Sequence, residues 1–229
     1  YDLCEGKEGL LVKFYLKTLN PDEFMEINQA ITLSGICTEP TDFSRGEVDV
    51  MSALESLLEV MSEDQTISLF AINSSFRGML EEGKRLQKIS PALILTLPAN
   101  EQGFMAAKAS RRLNLSVAIG AIFSLGQGTI ALENQEGPLL FDMEKVGRFC
   151  DSVILLEQLL ALVEDKTRVI ALCENEEYFT KALACGAQAI CAPGQVYGEN
   201  LFNLLTNSQM NQAREEWLMA YTRNTILEP

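Results

Sequence analysis

Apolar and polar positions alternate between two periods from one end of the chain to the other. Short, nearly uncharged runs fall at residues 11–16, 35–38, 67–72, 93–97, 117–122, 139–141, 169–172 and 189–192. They are rich in β-branched and other apolar side chains, as strands covered on both faces must be, so they predict a parallel sheet. Between them the pattern turns helical. Asn20-Pro21-Asp22-Glu23 supplies an N-cap, a proline at the first helical position and a glutamate three residues past the cap. Residues 49–61 place Met51, Leu54, Leu57, Leu58 and Met61 on one stripe. Helical patterns follow at 76–88, 101–113, 126–132, 152–163, 176–185 and 197–205, with Gly186 placed to stop one of them.

Eight strand–helix alternations in this length predict an α/β fold, a closed (β/α)8 TIM barrel rather than a doubly wound sheet. Residues 209–221 predict an extra C-terminal helix with Met210, Ala213, Trp217 and Ala220 on one face. The expected organisation is a barrel over 1–206 followed by a helix and tail over 207–229. That last piece either packs back on its own barrel as part of the same domain or serves as a subunit-contact arm.

Composition narrows the chemistry. With 229 residues, 47% hydrophobic and 22% charged, the chain can bury a full core without a disulfide or metal staple. Six cysteines, Cys4, Cys37, Cys150, Cys173, Cys185 and Cys191, show no C-x-x-C pair, and there is no histidine. This excludes the usual Cys/His zinc sites and the histidine-activated serine or cysteine nucleophiles. Isolated cysteines in apolar surroundings predict reduced thiols and a cytoplasmic protein. A net charge of −14 predicts no binding to nucleic acid or to anionic membranes. No apolar stretch is long enough to cross a bilayer. The glycines form no G-x-G-x-x-G or P-loop pattern, and Gly126-Gln127-Gly128 reads as a helical turn after the fifth strand.

Barrel enzymes carry their reacting groups at the C-terminal ends of the strands. Here those ends are Leu16-Lys17-Thr18, Cys37-Thr38-Glu39-Pro40-Thr41, Leu95-Thr96-Leu97-Pro98, the segment Gly120 to Ser124, and Cys173-Glu174-Asn175. Taken in order, these segments resemble the transaldolase family, especially its short fructose-6-phosphate aldolase-like branch. The family's strand-one L-D-T, strand-two T-T-N-P-S and strand-four V-K-V-P followed by E-G-L correspond to the first three segments and to Gln102-Gly103-Phe104. Its F-S-x-x-Q matches Phe123-Ser124-Leu125-Gly126-Gln127, and its closing W-x-x-x-F-x-R-x-x-I resembles Trp217, Tyr221, Arg223 and Ile226.

The resemblance implies a barrel that forms an imine between a strand-four lysine and a ketose or ketone donor. At that lysine position stands Thr96, whose hydroxyl forms no imine. The family's strand-one aspartate and strand-two asparagine align with Lys17 and Glu39, its strand-three glutamine with Phe70 and its strand-five threonine with Gly120. Its strand-seven serine, followed by a basic residue, becomes Cys173-Glu174-Asn175, which sets an acid where the family holds phosphate. Arg148 aligns with the family's strand-six arginine.

Two readings follow. In the first, the chain is a pseudoenzyme that lost the lysine, aspartate and asparagine and has an assembly or small-metabolite-binding role. In the alternative it is an aldolase-type enzyme on a non-phosphorylated carbonyl substrate, with a relocated imine lysine at Lys17 and Glu39 as the acid–base group. Thr38, Thr96, Ser124, Cys173 and Arg148 are the substrate-binding candidates. No cofactor and no metal is expected, because Glu39 and Glu174 with a lysine between them make a poor oxygen cage. The expected partners are a small carbonyl or sugar ligand and further copies of the chain, joined through the C-terminal helix near Trp217. The first reading expects Lys17 locked to Glu39 and a mouth filled by Phe70, Phe123 and Met143; the second expects a free Lys17 in an open pocket.

Overall fold

The structure, a computed structural model, describes residues 12–46, 48–135, 137–221 and 223–226. Leu11, the expected start of the first strand, and Cys4 lie outside the described residues. The first half of the barrel runs β1 (Lys13–Lys17), α1 (Pro21–Ala30), β2 (Leu33–Cys37), α2 (Pro40–Gly46), α3 (Val50–Val60), β3 (Thr66–Phe70), α4 (Phe76–Ile89) and β4 (Leu93–Pro98). The second half continues with α5 (Glu101–Arg112), β5 (Val117–Gly120), α6 (Leu125–Asn134), β6 (Leu139–Asp142), α7 (Met143–Gly147) and α8 (Ser152–Leu160). It closes with β7 (Val169–Leu172), α9 (Glu176–Ala184), β8 (Ala189–Pro193), α10 (Gly194–Leu201) and α11 (Leu204–Tyr221). All eight strands are parallel and pair in chain order, and β8 closes on β1. This is the (β/α)8 barrel.

Local chemistry explains several boundaries. Asn20 caps α1 by accepting from the Asp22 N–H at 2.9 Å, with Pro21 at the first turn. Glu23 does not reach back to close a capping box; its carboxylate takes the Thr18 hydroxyl, and Thr18 Oγ1 accepts from the Asn20 N–H at 3.0 Å. Gly186, at φ +80°, ends α9 in the left-handed region. Gly35 stands at φ +150° on the inward face of β2, and a Cβ there would lie 2.0 Å from the Thr66 carbonyl oxygen. Only glycine lets β2 approach β3 this closely.

Strand register divides the apolar residues into two layers. Leu16, Ile36, Ile67, Leu97, Ile119 and Phe141 face outward and meet the helices in the larger core. A smaller inner core holds Cys37, Ala118, Leu140, Ile170, Leu172, Ala189 and Cys191, with Tyr15, Phe70 and Ile94 packed against it.

The structure also departs from the sequence-based boundaries. α2 and α7 were not anticipated, and both follow directly on strand ends at the C-terminal face. Met143, expected in the barrel mouth, opens α7 and is fully buried in the helix-facing core instead. The C-terminal helix begins at Leu204, so the expected boundary at 206–207 falls inside it. None of its described residues is buried, and Leu204, Leu205, Met210 and Met219 are exposed. No helix among the described residues is long and apolar enough to cross a membrane.

Candidate functional site

The parallel register brings the inward-facing strand ends into one ring: Lys17, Phe70, Thr96, Gly120, Asp142, Leu172 and Pro193. Glu39 joins it two residues past the inward Cys37, and Glu174 two past Leu172. The ring is mostly ionic on one side and apolar on the other.

On the ionic side, Lys17 Nζ donates to Glu39 Oε2 at 3.2 Å and to the Glu174 carboxylate, and lies 3.9 Å from Asp42 Oδ1. Glu39 turns its second oxygen to Lys145 Nζ, which also pairs with Asp142 Oδ2 at 3.0 Å. Asp42 further accepts from the Glu39 N–H at 2.7 Å, and Asp142 caps α7 by accepting from the Lys145 N–H at 2.8 Å. Two ammonium groups thus stand among four carboxylates.

Burial by itself would lower the Lys17 pKa, but the Glu174 hydrogen bond and the charges of Glu174, Glu39 and Asp42 outweigh it. The net shift is upward. Glu39 behaves in the opposite sense: burial would raise it, but the Lys145 hydrogen bond and the charges of Lys17 and Lys145 hold it below the ordinary carboxylate value. Lys145 is raised against its own burial by Glu39 and Asp142. Lys17, Glu39 and Lys145 are therefore each held in the charged form by their neighbours.

On the apolar side, Thr96 is fully buried and its hydroxyl has no hydrogen-bond partner among the described residues. The Phe70 ring and the Thr96 methyl crowd the inner face of Gly120: a Cβ there would meet Phe70 Cζ at 2.6 Å and Thr96 Cγ2 at 2.9 Å. Ala121 follows at φ +55°, a left-handed conformation that a side chain rarely adopts. Phe123 is partly exposed and stacks edge-on against the exposed Phe149, with ring centroids 5.6 Å apart.

The expected site residues separate accordingly. Lys17 and Glu39 meet, and together with Thr38 and Cys173 they line a pocket of about 10 Å³, about the space of one water. Thr38 spends its hydroxyl on the Ser68 carbonyl at 2.9 Å. The Cys173 thiol is buried, 3.7 Å from the Ala171 carbonyl, and burial pushes its pKa up, so it is no thiolate. Ser124 is occupied as the N-cap of α6, accepting from the Gln127 N–H at 3.2 Å. Arg148 is exposed and pairs with Glu144 at 2.7 Å, joining none of the ion pairs of the mouth. Asp42, Asp142 and Lys145 were missed by sequence reasoning. Asp142 was open to discovery, since it falls two residues after Leu140 on the inward period of β6.

Two wider cavities flank the ion network. One, of about 500 Å³, runs from Lys17 and Glu174 past Asn20 and Asp42 to Arg45. The other, of about 190 Å³, lies between Phe70, Phe123, Asp142 and Lys145. Among the described residues no group of cysteines and carboxylates has the arrangement of a metal site.

No family model matches the chain. It is similar to curated proteins named probable transaldolase. That of Brevibacillus brevis is 24% identical over 213 residues, covering 90% of this chain and 98% of the relative. That of Nitrosopumilus maritimus is 23% identical over 214 residues, covering 90% and 95%. Among solved structures, the Amycolatopsis orientalis BexX/CysO complex superposes with a TM-score of 0.58 at 16% identity, over 95% of this chain and 94% of that one. A mandelate racemase/muconate lactonizing protein from Paracoccus denitrificans gives 0.52 at 15% identity, over 82% and 56%. The structural likenesses show the fold alone. The similarity to the proteins named probable transaldolase runs over most of the chain.

Proposed function

We propose that this transaldolase-like barrel has kept the family scaffold without the Schiff-base chemistry, and acts as a binding or assembly protein rather than a transaldolase. The observation that carries the reading is the state of its two candidate imine positions. At the strand-four position the side chain is a threonine, fully buried beside the Phe70 ring, with neither an amine nor access for a substrate. On strand one, Lys17 is an amine, but it is committed to Glu39 and Glu174 and its pKa is raised. Imine formation needs the neutral amine, and a raised pKa leaves almost none of it near neutral pH.

The same arrangement supports a ligand without phosphate. Glu174 and Asp42 line the large cavity beside Lys17, where among the described residues Arg45 is the one further cation. A phosphate there would face two carboxylates. A small carbonyl compound or an unphosphorylated sugar fits both the charge and the size, which falls among ordinary ligand cavities of roughly 300–1,000 Å³. The cysteines, free among the described residues and in part buried, suit a reducing compartment such as the cytoplasm.

Incubation with dihydroxyacetone, hydroxyacetone or fructose 6-phosphate, followed by borohydride reduction and intact mass spectrometry, is expected to give no adduct. An adduct present in the native protein and absent from Lys17→Met overturns this reading in favour of a strand-one imine lysine with Glu39 as its acid–base partner.

The assembly role rests on α11. A helix of 18 residues with no buried side chain carries apolar residues that its own barrel does not cover. Trp217 stacks with Tyr221 at 4.4 Å and donates its indole N–H to the Arg223 carbonyl at 2.8 Å, making a stiff aromatic end for a contact with a second copy. Sedimentation equilibrium is expected to give a homo-oligomer that dissociates in Leu205→Glu/Met219→Glu; a native monomer at micromolar concentration removes the assembly role.

A further inference from the structure

The opposite, N-terminal end of the barrel holds a second chamber that the transaldolase-like reading does not use. It has a volume of about 470 Å³ and opens between the starts of β1, β2, β3 and β7. In closed barrels this end is normally filled by branched apolar side chains and contributes stability alone. Here the inward positions on the β2–β3 side are small or hydroxylated: Gly35, Thr66 and Ser68 follow one another across the two strands. The close approach forced by Gly35 keeps that wall free of bulk.

The lining is graded. Its outer rim carries Lys13, Asp64, Asp165 and Arg168, two cations and two carboxylates, so the described lining of the mouth is neutral overall. Asp165 is held below its ordinary value, chiefly by the Thr167 hydroxyl and in smaller part by the charges of Lys13 and Arg168. Deeper in, Tyr15, Ser34 and Thr66 are half-buried, and none of their hydroxyls has a hydrogen-bond partner among the described residues. At the bottom, beside Ile94 and Ile170, is Ser68, only 2% exposed and likewise without a partner for Oγ. Hydroxyls that face a chamber and have no protein partner take their hydrogen bonds from whatever fills it. A row of such hydroxyls, each able to donate and to accept, is complementary to another row of hydroxyls.

We propose that this chamber is a binding site for a neutral polyhydroxylated molecule, an open-chain polyol or unphosphorylated sugar of about pentitol size, with Ser68, Thr66 and Tyr15 as its hydrogen-bonding wall. Net neutrality at the rim selects against phosphates and other anions. The apolar floor of Ile94 and Ile170 accepts the carbon chain while the β1–β3 wall takes the hydroxyls. A chamber of this volume holds a pentitol together with a few bridging waters.

Isothermal titration of the intact chain with ribitol tests the proposal. Saturable binding with one site per chain is expected, along with slowed amide exchange at residues 32–34 and 64–68. Ser68→Val, which removes the deepest hydroxyl and fills its space, is expected to weaken binding at least tenfold, the usual consequence of losing a buried hydrogen bond and gaining a clash. Absence of saturable heat overturns the proposal, as does binding whose exchange protection falls on the loops of the C-terminal face. So does a rise in melting temperature that is linear in ribitol and equal in Ser68→Val, which is osmolyte exclusion. Because the exchange measurement uses the native protein, a poorly folding Ser68→Val leaves the test decisive. Failure here leaves the imine-free reading of the other face intact, since that rests on the state of Thr96 and Lys17 and is tested separately by borohydride trapping.

Discussion

Replacing Thr96 by lysine is expected to lower the melting temperature by roughly 6–12 °C and to restore no imine. The position has no solvent exposure, and the hydroxyl already there has no partner. A lysine side chain would have to displace the Phe70 ring, which together with the Thr96 methyl leaves no space even for a methyl group on Gly120. An unpaired buried ammonium costs roughly 3–5 kcal/mol, and a domain of this size loses about 2–4 °C per kcal/mol. The low end of the cost gives the stated range, since the new amine can shed its proton. Its folded pKa would then be depressed below the unfolded value near 10.4. The deficit is therefore largest where the unfolded lysine is charged and shrinks as pH rises toward that value. Scanning calorimetry from neutral to alkaline pH, paired with borohydride trapping, measures both halves. Phe70→Gln/Thr96→Lys, which opens the space above the amine, should recover part of the lost stability. A Thr96→Lys protein as stable as the native one that also forms an adduct would mean that the pocket is open and only the lysine is missing.

The barrel itself was legible in the sequence because its strands are buried on both faces, so each reads as an uncharged run whose period needs no partner to be recognised. Helix starts were legible where a single side chain decides them, as Asn20 does for α1. What stayed hidden depended on length or on distance. α2 has seven residues and α7 has five, too few for a helical period to register. Those same short helices bring Asp42 and Lys145 to the mouth, so the ion network could not be completed from sequence. The Lys17–Glu39 pair was legible because both stand at the ends of neighbouring strands. That Lys145 takes the second oxygen of Glu39 is a contact across 106 positions, with no local signature. Met143 was misplaced for a different reason: the alternation that turns Leu140 and Asp142 inward puts residue 143 on the outer face, where α7 begins and buries it in the helix-facing core. The hydroxylated wall was passed over because Ser68 lies within a run that looks apolar overall and Thr66 just before it, and only register shows them facing the same space.

Removing the Lys17 charge is the second large effect expected, and its dependence on pH separates a structural cation from a reactive one. Lys17→Met leaves Glu39, Asp42 and Glu174 within one cluster in which, among the described residues, the remaining ion pair is that of Lys145 with Glu39. Lys17 and Glu39 are mostly buried, with side-chain exposures of 19% and 12%, whereas Glu174 at 32% is partly screened. A broken pair of this kind costs about 3 kcal/mol at the lower end of the buried range, or roughly 6–12 °C at neutral pH. The sign of the pH dependence follows from the carboxylates. The folded pKa of Glu39 is lowered, so its contribution is present above the ordinary value of 4.5 and is lost as pH falls through the folded value. Without Lys17 that depression is weaker, the cluster takes up protons at higher pH, and protonation removes the repulsion. The gap between native and variant melting temperatures should therefore be widest near neutrality and close as pH drops below the ordinary carboxylate range. Lys17, whose folded pKa is raised, adds the complementary limb: its stabilisation is complete below about pH 10 and is lost only as pH climbs through the folded value. Calorimetry of both proteins at acid, neutral and alkaline pH reads the gap directly. A gap that stays constant across the range would assign the loss to packing of the lysine stem. A native protein that gains stability at neutral pH when Lys17 is removed would reveal a charge held at a cost, as a poised catalytic amine is, and would reopen the case for chemistry at this end of the barrel.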